Sequence, residues 1–202
     1  MVFTEKILAG GQLKIMRIIS GKYKNRKLFF SKSDLTRPLK DRVRESILNI
    51  LEHSNNLNIQ IKNSSILDLY AGVGSFGLEC VSRGAKKISF VEKDHCAISN
   101  LKKNINFLKV ENQTELYSID IFKFFEKSQT YKKFDIIFLD PPYKDEEFLN
   151  ILKIIKKKNI LNKNYIIILH REKNLNNYLE KKFNVVKSKV YGRSEIFFLK
   201  FF

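Results

Sequence analysis

The chain has 202 residues, of which 44% are hydrophobic, and this size and composition are typical of one domain with a sizeable core. Its 38 lysines and arginines against 21 acidic residues give a formal net charge of +17, which favours a polyanionic partner, although coding in an AT-rich genome also enriches lysine. The sequence shows no cysteine spacing of a zinc site or a disulfide framework, no apolar run as long as a membrane span and no signal-peptide pattern at its start.

Cysteine usage favours a reducing, cytoplasmic setting, with Cys80 and Cys96 expected to be buried packing residues. We also expect a monomer without membrane association. Residues 1–15 are predicted to be a flexible extension, because a cleaner domain start follows at Met16.

Residues 16–52 are predicted to form a small basic N-terminal unit. Within it, residues 16–30 have the pattern of two short strands that pair as a hairpin. An amphipathic helix is predicted over 41–51, because its apolar residues recur at helical spacing while Arg44 lies off the apolar face. Asp41 is the expected N-cap of this helix.

Residues 53–202 are predicted to form one α/β domain. After a loop rich in Asn and Ser, strand-like runs alternate with helix-like runs, which predicts a doubly wound, Rossmann-like sheet covered on both faces. The predicted strands cover 65–70, 87–92, 114–119, 134–140 and 164–170, and the predicted helices cover 75–83, 94–108, 121–127, 145–158 and 174–182. The chain then changes character, because 183–191 and 194–202 have the pattern of an antiparallel hairpin.

A glycine-rich loop follows the first predicted strand of this domain. Gly72, Gly74 and Gly77 match G-x-G-x-x-G. Glu92 ends the next predicted strand, where an acidic residue can bind the hydroxyls of a ribose. On its own this pattern is weak, because an NAD site and a tight strand-to-helix turn without a ligand also fit it.

Two acidic residues favour S-adenosylmethionine over NAD. Asp68 lies four residues before Gly72, where a carboxylate can reach an ammonium group, and NAD offers no amine there. Asp120 closes the third predicted strand, placed to meet an adenine amino group. The expected S-adenosylmethionine site comprises Asp68, Tyr70, Ala71, Gly72, Gly74, Glu92, Lys93, Asp120 and Ile121.

The fourth predicted strand ends in Asp140-Pro141-Pro142-Tyr143, termed here the DPPY loop. Two consecutive prolines fix φ and end the strand, so they hold a carboxylate and an aromatic ring in a rigid turn. Such a turn suits a flat base with an exocyclic amine, whose two N–H groups can be accepted by Asp140 and by the carbonyl of Pro141 while Tyr143 stacks on the ring. Because ligands bind at the carboxyl edge of an open α/β sheet, this loop and the glycine loop are expected to border one cleft. A rigid turn with a solvated Asp140 is the alternative.

Together these segments resemble the amino methyltransferases that carry D/N/S-P-P-F/Y/W, and more closely the bacterial 16S rRNA guanine-N2 methyltransferases. The resemblance is carried by MRIISGK at 16–22, RKL at 26–28, TRP at 36–38, DRVRE at 41–45, DLYAGVG at 68–74, GLE at 77–79, SRGA at 82–85, VEKD at 91–94 and DPPY at 140–143. It implies methyl transfer from S-adenosylmethionine to N2 of a guanine in 16S ribosomal RNA, within the small subunit or an assembly intermediate. It also implies that 53–202 is the methyltransferase domain, that no metal takes part, and that the catalytic residues are Asp140, Pro141, Pro142 and Tyr143.

Basic residues cluster between positions 14 and 44, and this N-terminal arm is the expected phosphate-contacting element. The expected RNA-binding residues are Arg17, Lys22, Arg26, Lys27, Arg37 and Arg42. A solvated hairpin with a compositional lysine bias is the alternative. The histidines lack metal-ligand spacing, and His170, which ends the fifth predicted strand, is expected to have an ordinary packing or surface role.

Other functions stay open at this point. An adenine-N6 methyltransferase acting on DNA or RNA uses the same loop, although the DNA enzymes normally need a further target-recognition domain. A protein-glutamine methyltransferase would usually have Asn in place of Asp140. A non-catalytic RNA-binding protein that kept the fold and an NAD-dependent dehydrogenase are the more distant alternatives. The chain departs from the family at Leu39-Lys40, where small hydroxyl residues are usual, and at Tyr70 and Tyr143, where Phe is common.

Overall fold

The computed structural model describes residues 16–30, 39–54, 56–127, 132–143, 145–173 and 179–202. Its helices are α1 Asp41–His53, α2 Ser75–Ser82, α3 His95–Leu108, α4 Ile121–Lys127 and α5 Phe148–Lys158. Its strands are β1 Ser65–Leu69, β2 Lys87–Glu92, β3 Thr114–Ser118, β4 Phe134–Leu139, β5 Leu161–Glu172, β6 Asn184–Tyr191 and β7 Ser194–Lys200. The extension predicted at 1–15, and residues 174–178 of the helix predicted over 174–182, lie outside the described residues.

The seven strands form one sheet in the order β3-β2-β1-β4-β5-β7-β6. Strands β1 to β5 pair in parallel, whereas β7 is antiparallel to both β5 and β6. Strands β1 and β4 in the centre are almost continuously buried, as parallel strands are when helices cover both faces. The predicted doubly wound α/β fold with a C-terminal antiparallel hairpin is therefore confirmed.

Alternate residues of each strand enter two separate apolar cores. On β1, Ile66 packs into the core formed with α1, α2 and α3, whereas Leu67 and Leu69 pack into the core formed with α4 and α5. These two sides of the sheet are termed the α1 face and the α5 face. Because strand side chains alternate with a period of two, Asp68 points to the same α1 face as Ile66.

Helix α1 differs from its prediction at two residues. The N-cap is Lys40 rather than Asp41, whose Oδ1 instead pairs with Nη2 of Arg44 at 3.0 Å. The prediction that Arg44 lies off the packed face is wrong, because its side chain is fully buried and Nη2 also donates to the carbonyl of Arg17 at 2.6 Å. Helical periodicity indicates one packing partner, but the N-terminal segment covers α1 on a second side and buries Arg44 there.

The buried carboxylate of Glu79 holds the N-terminal segment, residues 16–30, against α2. Its two oxygens accept the backbone N–H groups of Ile19 and Ser20 at 2.7 and 2.8 Å. They also meet two cations, with Nε of Arg83 at 3.3 Å and Nε of Arg44 at 3.9 Å. Since a buried charge is tolerated only when it is paired and hydrogen-bonded, these contacts compensate for the desolvation of Glu79.

Residues 16–30 fold back on themselves in a hairpin-like turn, termed the N-terminal turn. Two short strands were predicted here, and the structure has instead one isolated antiparallel bridge, between Arg17 and Lys27. The tip of this N-terminal turn packs on the end of α2, where the N–H of Lys22 donates to the carbonyl of Ser82 at 2.8 Å. A Cβ on Gly21 would lie 2.0 Å from that carbonyl oxygen, so glycine is needed for the approach. Because α2 starts at the carboxyl edge of the sheet, its end and the tip of the turn lie towards the opposite edge.

The two cysteines are free and lie in different environments. Cys80 is buried in α2, as predicted. The prediction for Cys96 is wrong, because it lies in the first turn of α3 and is exposed. Among the helices of the described ranges, none combines the length and the apolar character needed to cross a bilayer.

Candidate active site

Polar side chains continue the α1-face rows of the sheet beyond its apolar core. Asp68 pairs with Phe90 of β2 and Phe138 of β4, which come two positions before Glu92 and Asp140. Because side chains alternate along a strand, Asp68, Glu92 and Asp140 point to the same face. By the same alternation His170 of β5 joins them. These residues border a cleft of about 1810 Å³ at the carboxyl edge of the sheet.

The glycine loop, residues 70–77, is held by contacts that leave part of its backbone open. The N–H of Ala71 donates to the carbonyl of Val91 at 3.1 Å, and the N–H of Gly72 donates to Oε2 of Glu92 at 2.7 Å. Gly72 has a φ of +55°, and a Cβ there would meet no atom within 4 Å. The backbone is therefore bare where it borders the cleft, which fits the close approach of a nucleoside cofactor.

Asp68 is a buried acid that fits a cationic ligand. It is 1% exposed and accepts the N–H of Gly77 at 3.1 Å. Burial raises the pKa of Asp68 well above its usual range, the Gly77 hydrogen bond opposes this, and the charges of Asp140 and Glu92 raise the pKa further. An ammonium group in the cleft would favour the ionised form, because an opposite charge nearby lowers the pKa of a carboxyl group.

Glu92 and Asp120 are held in place at the ends of β2 and β3. Oε1 of Glu92 accepts the backbone N–H groups of Lys93 and Asp94 at 2.8 and 2.9 Å. Asp120 accepts the N–H of Phe122 in the first turn of α4 at 2.9 Å, and its other oxygen pairs with Nζ of Lys93 at 3.3 Å. Both carboxylates thus have fixed positions in the lining of the cleft.

The cleft brings together most of the predicted S-adenosylmethionine site. Its lining includes Asp68, Tyr70, Ala71, Gly72, Glu92, Lys93, Asp120 and Ile121. Gly74 does not line the cleft, because it is the N-cap of α2 and its N–H donates to the carbonyl of Ala71 at 2.8 Å. It shapes the turn, and the assignment of the whole set to S-adenosylmethionine stays a prediction.

The DPPY loop places its carboxylate against an imidazole. Oδ1 of Asp140 lies 2.7 Å from Nδ1 of His170, and the hydroxyl of Tyr143 lies 3.5 Å from Nε2 of the same ring. Tyr143 meets His170 edge to face and is itself 41% exposed. The ordinary role expected for His170 is therefore replaced by direct contact with the predicted catalytic residue. Because this contact uses Oδ1 of Asp140, Oδ2 is the oxygen that can face a substrate.

Arg171, which was not among the predicted site residues, holds the backbone of the DPPY loop. It is 4% exposed, and its guanidinium donates to the carbonyls of Pro142 and Tyr143, both at 2.6 Å. Burial lowers the pKa of Arg171. The signal was present, because two basic residues, His170 and Arg171, directly follow an apolar strand at the edge where ligands bind.

A hydrogen bond joins the glycine loop to the segment after the DPPY loop. The hydroxyl of Tyr70 donates to Oδ2 of Asp145 at 2.9 Å. Burial, and then this hydrogen bond, raise the pKa of Tyr70, so the phenol stays a protonated donor. Asp145 was not predicted as a site residue, and this contact couples the positions of the two loops that border the cleft.

The predicted RNA-binding residues do not assemble at the cleft. Arg42 of α1 lines it. Exposed residues that lie outside its lining are Arg17, Lys22, Arg26 and Lys27. Arg37 lies outside the described residues. Within the described residues, no group of three or more His, Cys, Asp and Glu side chains is arranged to hold a metal ion.

Comparison with known proteins gives consistent matches over nearly the whole chain. A family model described as conserved hypothetical protein 95 matches residues 16–200. "Ribosomal RNA small subunit methyltransferase D" of Haemophilus influenzae is 34% identical over 178 residues, 88% of this chain and 89% of that protein. The protein of the same name from Buchnera aphidicola is 31% identical over 180 residues, 89% of this chain and 90% of that protein. The solved structure of "Putative methyltransferase yhhF" from Escherichia coli is 26% identical, superposes with a TM-score of 0.76, and the match covers 93% of this chain and 98% of that one.

Proposed function

This chain belongs to the family described as conserved hypothetical protein 95, and from that premise we propose that it methylates the exocyclic N2 of a guanine in small-subunit ribosomal RNA. The relatives named as small-subunit ribosomal RNA methyltransferases support the class of substrate. One observation carries the reaction type: Asp140, held by a proline turn, borders the same cleft as the glycine loop.

The strand ends fit S-adenosylmethionine, which supplies an electrophilic methyl whose bond to sulfur breaks as the bond to the target nitrogen forms. In this proposal Asp68 binds the amino group of the cofactor, and Glu92 binds the two ribose hydroxyls. Asp120 accepts from the adenine amino group. The bare backbone at Gly72 gives the cofactor room to lie against the loop.

Asp140 and Pro141 orient the target amine. An exocyclic amine is a weak nucleophile, because its lone pair is delocalised into the base. Oδ2 of Asp140 accepts one N–H. The carbonyl of Pro141, which also lies 3.5 Å from Nη1 of Arg171, accepts the other with its second lone pair, and this pairing directs the lone pair of the amine towards the cofactor. The nitrogen loses one proton as the product forms, and the Asp140 carboxylate is placed to accept it. Orientation and preorganised electrostatics supply most of the rate.

Tyr143 binds the face of the base. Its ring is 41% exposed beside the cleft, so a base can stack on it. A guanine paired inside a helix cannot reach this position, and the target must therefore be unpaired or rotated out of the helix.

The test is transfer of a tritiated methyl group to small ribosomal subunits from cells that lack this methylation, with naked 16S rRNA as a second substrate. We expect labelled N2-methylguanosine after nucleoside digestion, and none from the Asp140→Ala variant. Label in N6-methyladenosine would show that adenine is the target, and label in the protein fraction would show that the substrate is a protein; either would contradict guanine N2 as the target. Tight cofactor binding without label in either RNA would overturn methyl transfer and favour a non-catalytic RNA-binding protein.

A further inference from the structure

The wall of the cleft opposite the strand ends is built by α1 and by the turn between β6 and β7. Because β7 is antiparallel to β5, this turn lies at the carboxyl edge of the parallel strands, where the N–H of Lys173 donates to the carbonyl of Arg193 at 3.0 Å. The hydroxyls of Ser46 on α1 and Tyr191 on β6 are in contact. Nζ of Lys189 lies 3.4 Å from Oγ of Ser46. The helix and the turn therefore form one continuous surface, termed the cleft rim.

The cleft rim is basic. Its exposed cations that line the cleft are Lys40, Arg42, Lys187, Lys189 and Arg193. Glu45 is the one acidic side chain that α1 and the hairpin add to the lining, counted over the described residues. None of these cations forms an ion pair with another residue of the described ranges. Unpaired cations at the mouth of a cleft attract a polyanion and raise its local concentration.

The opposite half of the same cleft is acidic. Its lining includes Asp68, Glu92, Asp94 and Asp120, with Lys93 as the cation among them. A chain of phosphates is repelled from these carboxylates and attracted to the rim, whereas a cationic cofactor is attracted to the carboxylates. The charge distribution thus gives each ligand its own side, with the reacting nitrogen between them.

The tip of the N-terminal turn is badly placed for the same task. Lys22 at the tip contacts the end of α2, and α2 spans eight residues from the glycine loop to that end, which is roughly 12 Å at 1.5 Å per residue. By contrast, Arg193 and Lys189 line the cleft that Asp140 also lines. A phosphate next to a base that is seated on the DPPY loop therefore lies nearer the rim.

We infer that the cleft rim, rather than the N-terminal turn, holds the phosphates of the nucleotides that flank the target base. The inference rests on the proposed function, because it takes a ribosomal RNA strand as the occupant. Phosphate contacts position a nucleic acid without reading its sequence, so the rim sets the position of the strand while the DPPY loop binds the base.

Two triple variants with the same charge change test the inference. The rim variant is Lys187→Gln, Lys189→Gln and Arg193→Gln, and its matched control is Lys22→Gln, Arg26→Gln and Lys27→Gln. Each removes two lysines and one arginine from exposed positions. The readouts are binding of naked 16S rRNA at several salt concentrations, methyl transfer, S-adenosylmethionine affinity and melting temperature.

We expect the rim variant to lose at least about tenfold in RNA affinity. The slope of log affinity against log salt concentration should be less steep by about 2, as three lost phosphate contacts to a single strand predict. The control should lose much less, and S-adenosylmethionine affinity should be the same in both. Equal losses, or a larger loss in the control, would overturn the inference. If the rim triple variant does not fold, Lys187→Gln alone carries the test, and unchanged RNA affinity in that variant would also overturn it.

This test separates the inference from the proposed function. Methyl transfer by the unmodified protein examines the function, whereas the difference between the two triple variants examines the interface. If the unmodified protein methylates guanine N2 but the two triple variants lose equal RNA affinity, the proposed function stands and the rim interface is wrong.

Discussion

The acidic half of the cleft is made by strand ends, whereas its basic half is made by a helix and a hairpin turn attached to the sheet. Asp68, Glu92 and Asp120 lie at the ends of neighbouring parallel strands, so strand pairing alone brings them together. Arg42 and Lys189 are far apart in the sequence and line the same cleft because α1 docks against β6. In the proposed function the sheet fixes where the cofactor binds, and the attached elements determine what reaches it.

Asp140, where the two halves meet, should give the largest effect. Asp140→Ala is expected to lower kcat by at least about a hundredfold, because it removes an acceptor positioned for the reacting amine. Affinity for S-adenosylmethionine and for RNA should persist, as calorimetry and filter binding can measure. Asp140→Asn is the control that keeps the shape and loses the charge. Loss of cofactor affinity together with activity would assign Asp140 to the acidic half instead of the boundary.

His170 is expected to act by positioning Asp140, at the boundary between the two halves of the cleft. His170→Ala should lower kcat on the order of tenfold to a hundredfold by misplacing Oδ2 of Asp140, with little change in KM. His170→Asn should recover most of the loss, because its amide nitrogen can take the position of Nδ1, 2.7 Å from Asp140. His170→Gln places its amide nearer the Nε2 position and should not recover activity. Equal behaviour of the Asn and Gln variants would point to a role in packing alone.

Glu92 tests the acidic half by itself. Glu92→Ala should weaken S-adenosylmethionine binding by about 1–3 kcal/mol, the range for a lost hydrogen bond to a charged group. RNA affinity should not change, because Glu92 lies in the half away from the rim. Glu92→Gln keeps an acceptor for the N–H of Gly72 and separates ligand contact from support of the loop. An unaltered cofactor affinity in Glu92→Ala would contradict the ribose assignment.

Substitution of Asp68 should give the smallest effect, a change in the stability of the ligand-free protein. Since burial raises its folded pKa above the ordinary value of 3.8, the unfolded chain releases this proton first, and stability falls as pH rises from about 4 towards the raised pKa. Asp68→Asn removes that slope, so the ligand-free variant should melt higher than the wild type near pH 7, by about 2–4 °C for each kcal/mol relieved. It should also bind S-adenosylmethionine more weakly. If the melting temperature changed with pH in the same way for both proteins between pH 5 and pH 8, the assignment of Asp68 as a buried acid with a raised pKa would be contradicted.

Sequence patterns predicted the strands and helices of the sheet well for a physical reason. Strands such as β1 and β4 are short apolar runs followed by glycine or proline turns, so the chain itself marks their ends. Arg44 and the N-terminal turn were poorly predicted, because their conformations depend on Glu79 and Ser82 of α2, far along the chain. Local periodicity contains no information on such partners.

The same distinction applies to the candidate site. Asp68, Glu92 and Asp140 each lie at or near the end of a recognisable strand, and the structure places them on one cleft. The position of Arg171 at the end of a strand is visible in the sequence, but its role, donating to the carbonyls of Pro142 and Tyr143, follows from the pairing of β4 with β5 and is not. The rim was missed for the same reason, since a lysine in a solvated hairpin and a lysine at the mouth of a cleft look identical in a sequence.

The contacts of Glu79 have a consequence for how the molecule unfolds. If the N-terminal segment detached from α2, the Glu79 carboxylate would lose the N–H groups of Ile19 and Ser20, and the guanidinium of Arg44 would lose the carbonyl of Arg17. Buried charged groups that lose hydrogen-bond partners are strongly destabilising. We therefore expect loss of this segment and melting of the helix layer on the α1 face to occur as one cooperative event. The amide protons of Ile19 and Ser20, although they lie in a stretch of little regular secondary structure, should exchange with solvent about as slowly as those of the central strands.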